Sequence, residues 1–271
     1  MGFSVLMSVY RNEKEEYLQT AIESVFSQTL VPDELVLIQD GPLTEALNST
    51  IERLKQKYPQ IITFQFTENV KLGRALAKGV ELCSNELIAR MDTDDIAVKD
   101  RFELQYHYMK AHREIAACGG WIREFNDTGN YSKIKKMPQT EADIRKYIRY
   151  RNPLNHMTVM FRKSVILSVG NYRHFPLLED YELWCRVLAD GNKITNLPQV
   201  LVNMRTSDKM YDRRGGKNYL KQYQKLWKEQ RKLGLLSWPE TVMAFFLIAS
   251  MTLQPSAIRK LMYHKVLRDK R

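Results

Sequence analysis

The chain has 271 residues, 44% hydrophobic and 27% charged, with no low-complexity tract or internal repeat. That excludes a disordered or fibrous protein and leaves room for one large α/β domain with an appendage. The net charge of +11 is segregated, since residues 209–271 carry 15 Lys/Arg against 4 Asp/Glu while residues 1–208 carry 27 of each, so the C-terminal segment is expected to meet a membrane face, a nucleic acid or a polyanionic glycan.

Phe3–Tyr10 is apolar and β-branched and predicts a strand, and Leu18, Ala21, Ile22, Val25 and Phe26 follow at helical spacing. Leu35–Ile38 predicts a second strand, ended by Gln39-Asp40-Gly41-Pro42, where Gly and Pro enforce a turn. Leu47, Ile51, Leu54 and Tyr58 mark a helix, Ile61–Phe66 a strand, and Leu72, Leu76 and Val80 another helix. A fourth strand, Leu87–Met91, runs into Asp92-Thr93-Asp94-Asp95. Strands alternating with helices predict a mainly parallel central sheet covered by helices on both faces, with ligands at the strands' carboxyl ends.

Those ends carry Tyr10-Arg11-Asn12, Asp40 and the acidic turn. Carboxylates are hard ligands for Mg²⁺ or Mn²⁺, and an ion held by one or two of them keeps positions open for phosphate oxygens. The competing reading is an acidic turn that caps a helix expected from near Ala97. Tyr10 could stack on a base and Asp40 could accept from an imide N–H or a ribose hydroxyl; each alone reads as a turn residue, and together they suggest a nucleotide site. No Gly-x-Gly-x-x-Gly follows the first strand and no Gly-x-x-x-x-Gly-Lys-Ser/Thr occurs, so the phosphates are expected to be neutralised by metal.

Beyond residue 113 the pattern predicts shorter strands at Ala116–Arg123 and Thr158–Arg162, separated by a polar, basic stretch over Asn126–Arg151 that shapes the second substrate's pocket. Leu183, Trp184, Val187 and Leu188 form a helix face ended by Asp190-Gly191, which puts Glu179 and Asp180 at a helix N-terminus, either as caps or as a general base. Lys217, Lys221, Lys225, Lys228 and Lys232 fall on one helix face. Tyr219, Tyr223, Leu226 and Trp227 occupy another side, and the apolar Thr241–Leu253 precedes a basic run over Arg259–Arg271. That apolar segment falls short of the roughly 20 residues a bilayer span needs, which predicts an interfacial or re-entrant helix, against a core helix or a dimer contact. Cys83, Cys118 and Cys185 lack Cys-x-x-Cys spacing and read as reduced structural thiols. The N-terminus carries no secretion signal, so a cytoplasmic protein is expected.

Five ordered segments carry a resemblance: Ser4–Asn12, Gln28-Thr29 to Asp40-Gly41, Asn69-x-x-Leu72-Gly73-x-Ala75, Asp92–Asp95, and Glu179-Asp180-Tyr181-Glu182-Leu183-Trp184. Over residues 3–205 the chain resembles a family 2 glycosyltransferase of the GT-A fold, of the bacterial kind that builds capsule, exopolysaccharide or lipopolysaccharide repeat units. The resemblance implies that Val9, Tyr10, Asn12 and Asp40 hold the base and ribose, with Lys71, Thr93 and Arg205 completing the donor contacts. It implies that Asp92 lies toward the ribose, Asp94 is the nearest ligand of Mn²⁺ or Mg²⁺, and Asp95 supports it. Asp180 is then the base, with His156, Glu179 and Trp184 on the acceptor side. His156 belongs to the loop Asn152–Thr158, which also resembles capsular relatives and in which a histidine is more often structural. The Gln-x-x-Arg-Trp motif of processive members such as cellulose and hyaluronan synthases is absent, which implies addition of one sugar followed by release.

The implied reaction inverts the anomeric centre. Its expected donor is a UDP-hexose, with dTDP- and GDP-sugars as alternatives, and its expected acceptor is a polyprenyl-diphosphate-linked glycan. Residues 1–208 are expected to form the catalytic domain, divided into a donor half (1–113) and an acceptor half (114–208). Residues 209–271 form a basic helical extension that meets the inner face of the cell membrane through 217–271. Arg213 and Arg214 with Arg205 could reach the diphosphate from a loop hinged at Gly215-Gly216; a solvated basic loop is the alternative. A homodimer is left open, nucleic acid is not an expected partner, and a nucleotidyltransferase or a nucleic-acid-binding module are the competing functions.

Overall fold

The computed structural model describes residues 2–126, 131–206, 215–252 and 254. The first half alternates as the apolar runs dictate: β1 (Ser4–Val9), α1 (Glu15–Phe26), β2 (Glu34–Gln39), α2 (Glu45–Lys57), β3 (Ile61–Gln65), α3 (Leu72–Leu82) and β4 (Leu87–Arg90). β1 lies between β2 and β4 and pairs parallel with both, and β2 pairs parallel with β3. β1 and β2 have no polar face because both faces are covered. Val5, Met7, Leu35 and Leu37 join the core under α1 and α2, while Leu6, Val36 and Ile38 join the core under α3. α3 approaches so closely that a Cβ on Gly79 would lie 2.2 Å from Leu6 Cδ1.

The second half departs from the expected pattern. Among the described residues the sheet runs β3-β2-β1-β4 and continues through β8 (Met160–Arg162), β6 (Ile115–Phe125), β9 (Lys193–Arg205) and β5 (Ile96–Ala97), with β7 (Tyr131–Lys135) paired to β6. It is mixed from β4 onward, because β8 (Met160–Arg162) is antiparallel to both β4 and β6 (Ile115–Phe125). The strands here are not all short. β6 has 11 residues and β9 (Lys193–Arg205) has 13, and the two pair parallel. β9 was hidden by Pro198, which lacks an N–H and reads as a break. The ladder absorbs it: Leu197 pairs with Gly120 and Val200 with Trp121, so Pro198 and Gln199 bulge out of register.

The stretch read as a polar connection contains β7 (Tyr131–Lys135) and α5 (Glu141–Tyr147). A 3₁₀ turn (His156–Thr158) and α6 (Lys163–Ser168) flank β8, and α7 (Glu179–Ala189) follows. The helix expected from Ala97 begins later, as α4 (Arg101–Ala111). Ile96 and Ala97 instead form β5, paired antiparallel with Asn203 and Val202 of β9. The acidic turn is therefore a link between two strands, and its carboxylates do not cap that helix.

α8 (Gly216–Lys232) packs on the α7 side through Tyr219 and Leu226, and its buried Gln230 donates to Ile148 O at 2.7 Å. α9 (Trp238–Thr252) folds back on it, with Trp227, Leu236, Ala244 and Ile248 enclosed between them. All five lysines of the stripe are exposed. Arg213, Arg214 and the run Arg259–Arg271 lie outside the described residues. The three cysteines are free and buried.

Candidate active site

The carboxyl ends of β1, β2 and β4 carry two groups of side chains, and the start of α7 carries a third. The first is the acidic turn. Asp92, Asp94 and Asp95 each offer a carboxylate oxygen within 4.8 Å of the others. Burial, followed by the charges of Asp92 and Glu13, pushes the Asp94 carboxyl from 3.8 up to about 7. Burial and then the two neighbouring aspartates push Asp95 up as well. Asp95 Oδ1 accepts the Arg205 N–H at 2.8 Å, whereas its buried Oδ2 has no partner. Three crowded carboxylates, with elevated proton affinity at Asp94 and Asp95 and an orphaned oxygen on Asp95, fit a hard divalent cation.

Two neighbours hold the turn in shape. Arg205, at the end of β9, donates from Nε to Asp94 O at 3.1 Å while its guanidinium lies 3.8 Å from the Tyr17 ring and 4.6 Å from that of Phe125. Thr93 Oγ1 donates to Glu13 Oε2 at 2.5 Å. As placed here, Arg205 and Thr93 shape the turn through these contacts.

The second group is the expected nucleotide side. Asp40 is buried, and its carboxylate accepts from Asn69 Nδ2 at 2.9 Å and from the Val70 N–H at 2.6 Å, so it anchors the loop entering α3. Burial raises its proton affinity against those hydrogen bonds. Lys71 ends that loop with φ 73° and ψ 155°, a region that glycine occupies readily and lysine does not. Tyr10 and Asn12 are exposed just past the end of β1. Val9 is fully buried and its carbonyl accepts the Asp40 N–H at 2.8 Å, so its side chain stays in the core away from the crevice.

The third group gathers at the start of α7. Leu178 is the N-cap and makes no side-chain cap bond, which places Glu179 and Asp180 in the first helical turn. Asp180 Oδ2 accepts from Asn152 Nδ2 at 2.5 Å. Burial raises the pKa of Asp180, opposed first by that hydrogen bond, and burial pushes Glu179 to about 7, with its Oε2 unpartnered. His156 Nε2 lies 2.9 Å from Tyr172 Oη, and burial, then the Arg90 charge, drive its pKa well below the ordinary value. Trp184 is a correction: it is fully buried in the core and offers no surface to an acceptor.

Arg90 joins the first and third groups, and the sequence reading passed over it. Strand alternation puts it on the same face as Ile88, toward α3 and α7. Its buried guanidinium pairs with Asp92 Oδ1 and lies within electrostatic reach of Asp180 and Tyr172, while Nε and Nη1 have no partner. The signal was a charged residue inside an otherwise apolar strand. Glu13 was also missed; nothing in its local sequence points across the fold to Asp94.

Residues 4–169 match the model of the family described as "Glycosyl transferase family 2". The chain is 39% identical to the amylovoran biosynthesis glycosyltransferase AmsE of Erwinia amylovora, over 97% of this chain and 98% of that one. It is 35% identical to the UDP-Gal:alpha-D-GlcNAc-diphosphoundecaprenol beta-1,3-galactosyltransferase of Escherichia coli, over 98% and 96%. Among solved structures, S. aureus TarS 1-349 in complex with UDP-GlcNAc superposes with a TM-score of 0.69 at 15% identity, covering 98% of this chain and 76% of that one. The mannosyltransferase PcManGT from Pyrobaculum calidifontis, in complex with GDP-Man and Mn²⁺, gives 0.64 at 14%, covering 97% and 79%.

Proposed function

The chain belongs to glycosyl transferase family 2, and on that premise we propose that it moves one hexose from UDP, with inversion, to a hydroxyl of a polyprenyl-diphosphate-linked glycan. Its fold is GT-A, and it is a glycosyltransferase of bacterial polysaccharide synthesis. The observation that carries the finer reading is that one buried guanidinium serves two acidic centres: Arg90 pairs with Asp92 of the Asp92, Asp94 and Asp95 cluster and lies within electrostatic reach of Asp180. A sugar C1 bearing a diphosphate needs negative charge offset on the leaving side and a nucleophile activated on the opposite side.

Asp94, supported by Asp92 and Asp95, is the group to hold Mn²⁺ or Mg²⁺, and the bound ion supplies positive charge toward the leaving diphosphate. Tyr10, Asn12 and the Asp40 loop receive the nucleoside, and Lys71 adds an ammonium on the phosphate side. Asp180 takes the proton of the acceptor hydroxyl, whose oxygen forms the bond to C1 as the bond from C1 to the diphosphate oxygen breaks. UDP leaves with that electron pair, and attack from the opposite face inverts C1. A UDP donor is supported by the printed names of the galactosyltransferase relative and of the TarS complex, and the same relative's name supports a lipid-linked acceptor. We read the protein as cytoplasmic and peripheral on the inner membrane face. No described helix is long and apolar enough to cross a membrane, while α8 presents its lysines and α9 exposes Trp238, Val242, Met243, Phe246 and Leu247.

Thermal shift against UDP, GDP, CMP and dTDP, each with and without Mn²⁺, tests the reading. UDP should raise the melting temperature with Mn²⁺ and little without it, and Asp94→Ala should abolish the metal dependence. Stabilisation by none of the four, or equal stabilisation with a chelator present, would overturn it.

A further inference from the structure

The amide of Asn152 meets the Asp180 carboxylate with one orientation. Nδ2 donates to Asp180 Oδ2 at 2.5 Å while Oδ1 accepts the Leu154 N–H at 3.3 Å. Turning the amide over would set its oxygen against the carboxylate and its NH₂ against the Leu154 N–H, two repulsive contacts, so the network itself assigns the rotamer. The arm that carries Asn152 is fixed along its length. Pro153 follows it, Asn196 Nδ2 donates to Pro153 O at 3.0 Å, and Asn155 Nδ2 donates to Gly120 O at 2.9 Å. Asp180 is equally fixed, in the first turn of α7 with the next side chain, Tyr181, bonded through its hydroxyl to Ile148 O at 2.7 Å.

A carboxylate acting as a base needs one oxygen aimed at the acceptor hydroxyl and the other restrained, because free rotation about the carboxyl bond spoils the approach. We infer that Asn152 is the positioning residue for the base: its amide holds Asp180 Oδ2, so that Oδ1 receives the proton of the acceptor hydroxyl. This rests on the reading of Asp180 as the base. The acceptor oxygen then bonds to C1, the diphosphate departs with its electron pair, and the proton stays on Asp180 until product leaves.

The same hydrogen bond favours the ionised form. Among the effects that oppose the burial of Asp180 it comes first, ahead of the Tyr181 N–H and the Arg90 charge. Among the described residues the charged and titratable groups around this carboxylate include Arg90 from β4, Glu179 and Cys185 on α7, and Tyr172 from the segment before α7. Arg90 acts by charge alone, since its hydrogen bond goes to Asp92. Asn152 supplies the direction.

The decisive variant is Asn152→Asp, which keeps an oxygen for the Leu154 N–H and replaces only the donor that faces Asp180. UDP release is measured from whichever of UDP-glucose, UDP-galactose and UDP-GlcNAc the wild type turns over, with Mn²⁺, and GlcNAc-diphosphoundecaprenol or water as acceptor. The variant should keep its UDP affinity by calorimetry and its donor KM, while kcat falls by about 10². The acid limb of its kcat profile should move up by about one pH unit, because two carboxylates then share a site. Asn152→Ala, which remains informative if the aspartate variant folds poorly, should also lower kcat and move the limb upward by less. A kcat within about twofold of wild type and an unmoved limb in either folded variant would show that Asn152 only shapes its loop, overturning the inference. Asp180→Asn separates the two claims. If it is inactive while Asn152→Asp is normal, the inference alone fails; if Asp180→Asn itself turns over normally, the base is elsewhere and both fail.

Discussion

At the scale of single residues the site is a place where charge is confined against its preference. Asp94 ordinarily titrates near 3.8 and here near 7. A carboxyl whose pKa is raised on folding contributes stability that is fully present below the unfolded value and is lost as pH rises through the folded one. Asp94→Asn removes that penalty, so its melting temperature should exceed the wild type's by a margin that grows from pH 5.5 to pH 8 in metal-free buffer. Mn²⁺ should stabilise the wild type more at pH 8 than at pH 5.5 and release protons on binding. Scanning fluorimetry across that range checks both, and a pH-independent difference would show that Asp94 titrates normally. Lys71 confines backbone instead of charge. Its φ of 73° with ψ 155° costs about 1–3 kcal/mol in a lysine and little in a glycine. Lys71→Gly should therefore raise the melting temperature while weakening UDP binding in calorimetry, and a variant that is both less stable and unaltered in affinity would contradict the assignment. At this scale the sequence showed the carboxylates because they stand together in a row. It marked Arg90 only as a charge inside an apolar strand and gave no sign of Glu13, because their partners are reached only once β1 and β4 lie side by side and α7 packs into the same core.

At the scale of elements, the parallel half was legible because β1, β2 and β4 are continuous apolar runs and their helices repeat at a clear period. β9 was not legible, since it carries Pro198 and alternates poorly, and its 13 residues are held by pairing with β6 rather than by propensity. The consequence reaches the site, because β9 delivers Arg205 to the acidic turn and β5, which pairs with it, ends that turn. The first half of the chain also depends on how closely α3 lies on the sheet. A methyl at position 79 would meet Leu6 Cδ1 at 2.2 Å and Ile38 Cγ1 at 3.1 Å, both in the core. Gly79→Ala should therefore destabilise the protein by about 1–3 kcal/mol in urea unfolding despite the better helix propensity of alanine. A neutral or stabilising result would mean that α3 can lift off the sheet without strain.

At the scale of the whole molecule, the C-terminal helices connect the charge asymmetry to the catalytic end. α8 carries Tyr223, whose ring lies 6.5 Å from that of Tyr181, the residue after Asp180. Arg231 of α8 lies 4.0 Å from the ring of Trp238 of α9, so the basic helix and the exposed apolar face adjoin there. Beside this contact, Trp227, Arg231, Trp238, Val242 and Phe246 line a cleft of about 390 Å³. Trp238 and Phe246 are 68% and 67% exposed, more aromatic surface than a helix facing only water would present. Such a face beside a cationic one suits the boundary of an anionic bilayer, where aromatic rings sit among headgroups and each nearby lysine gains about 1 kcal/mol. Truncation after residue 234 would uncover Trp227 and confuse docking with folding, so substitution is the cleaner probe. Replacing Lys217, Lys221, Lys225, Lys228 and Lys232 with Gln should leave the melting temperature nearly unchanged, since all five are exposed. It should weaken sedimentation with phosphatidylglycerol vesicles by a factor that is large at low salt and small at high salt, where screening has already removed the attraction. Trp238→Ser with Phe246→Ser should weaken the same binding at every salt concentration, because apolar burial is not screened. Wild-type protein that ignores the vesicles while the aromatic variant loses self-association would assign the face to a second copy of the chain and remove the membrane from the account.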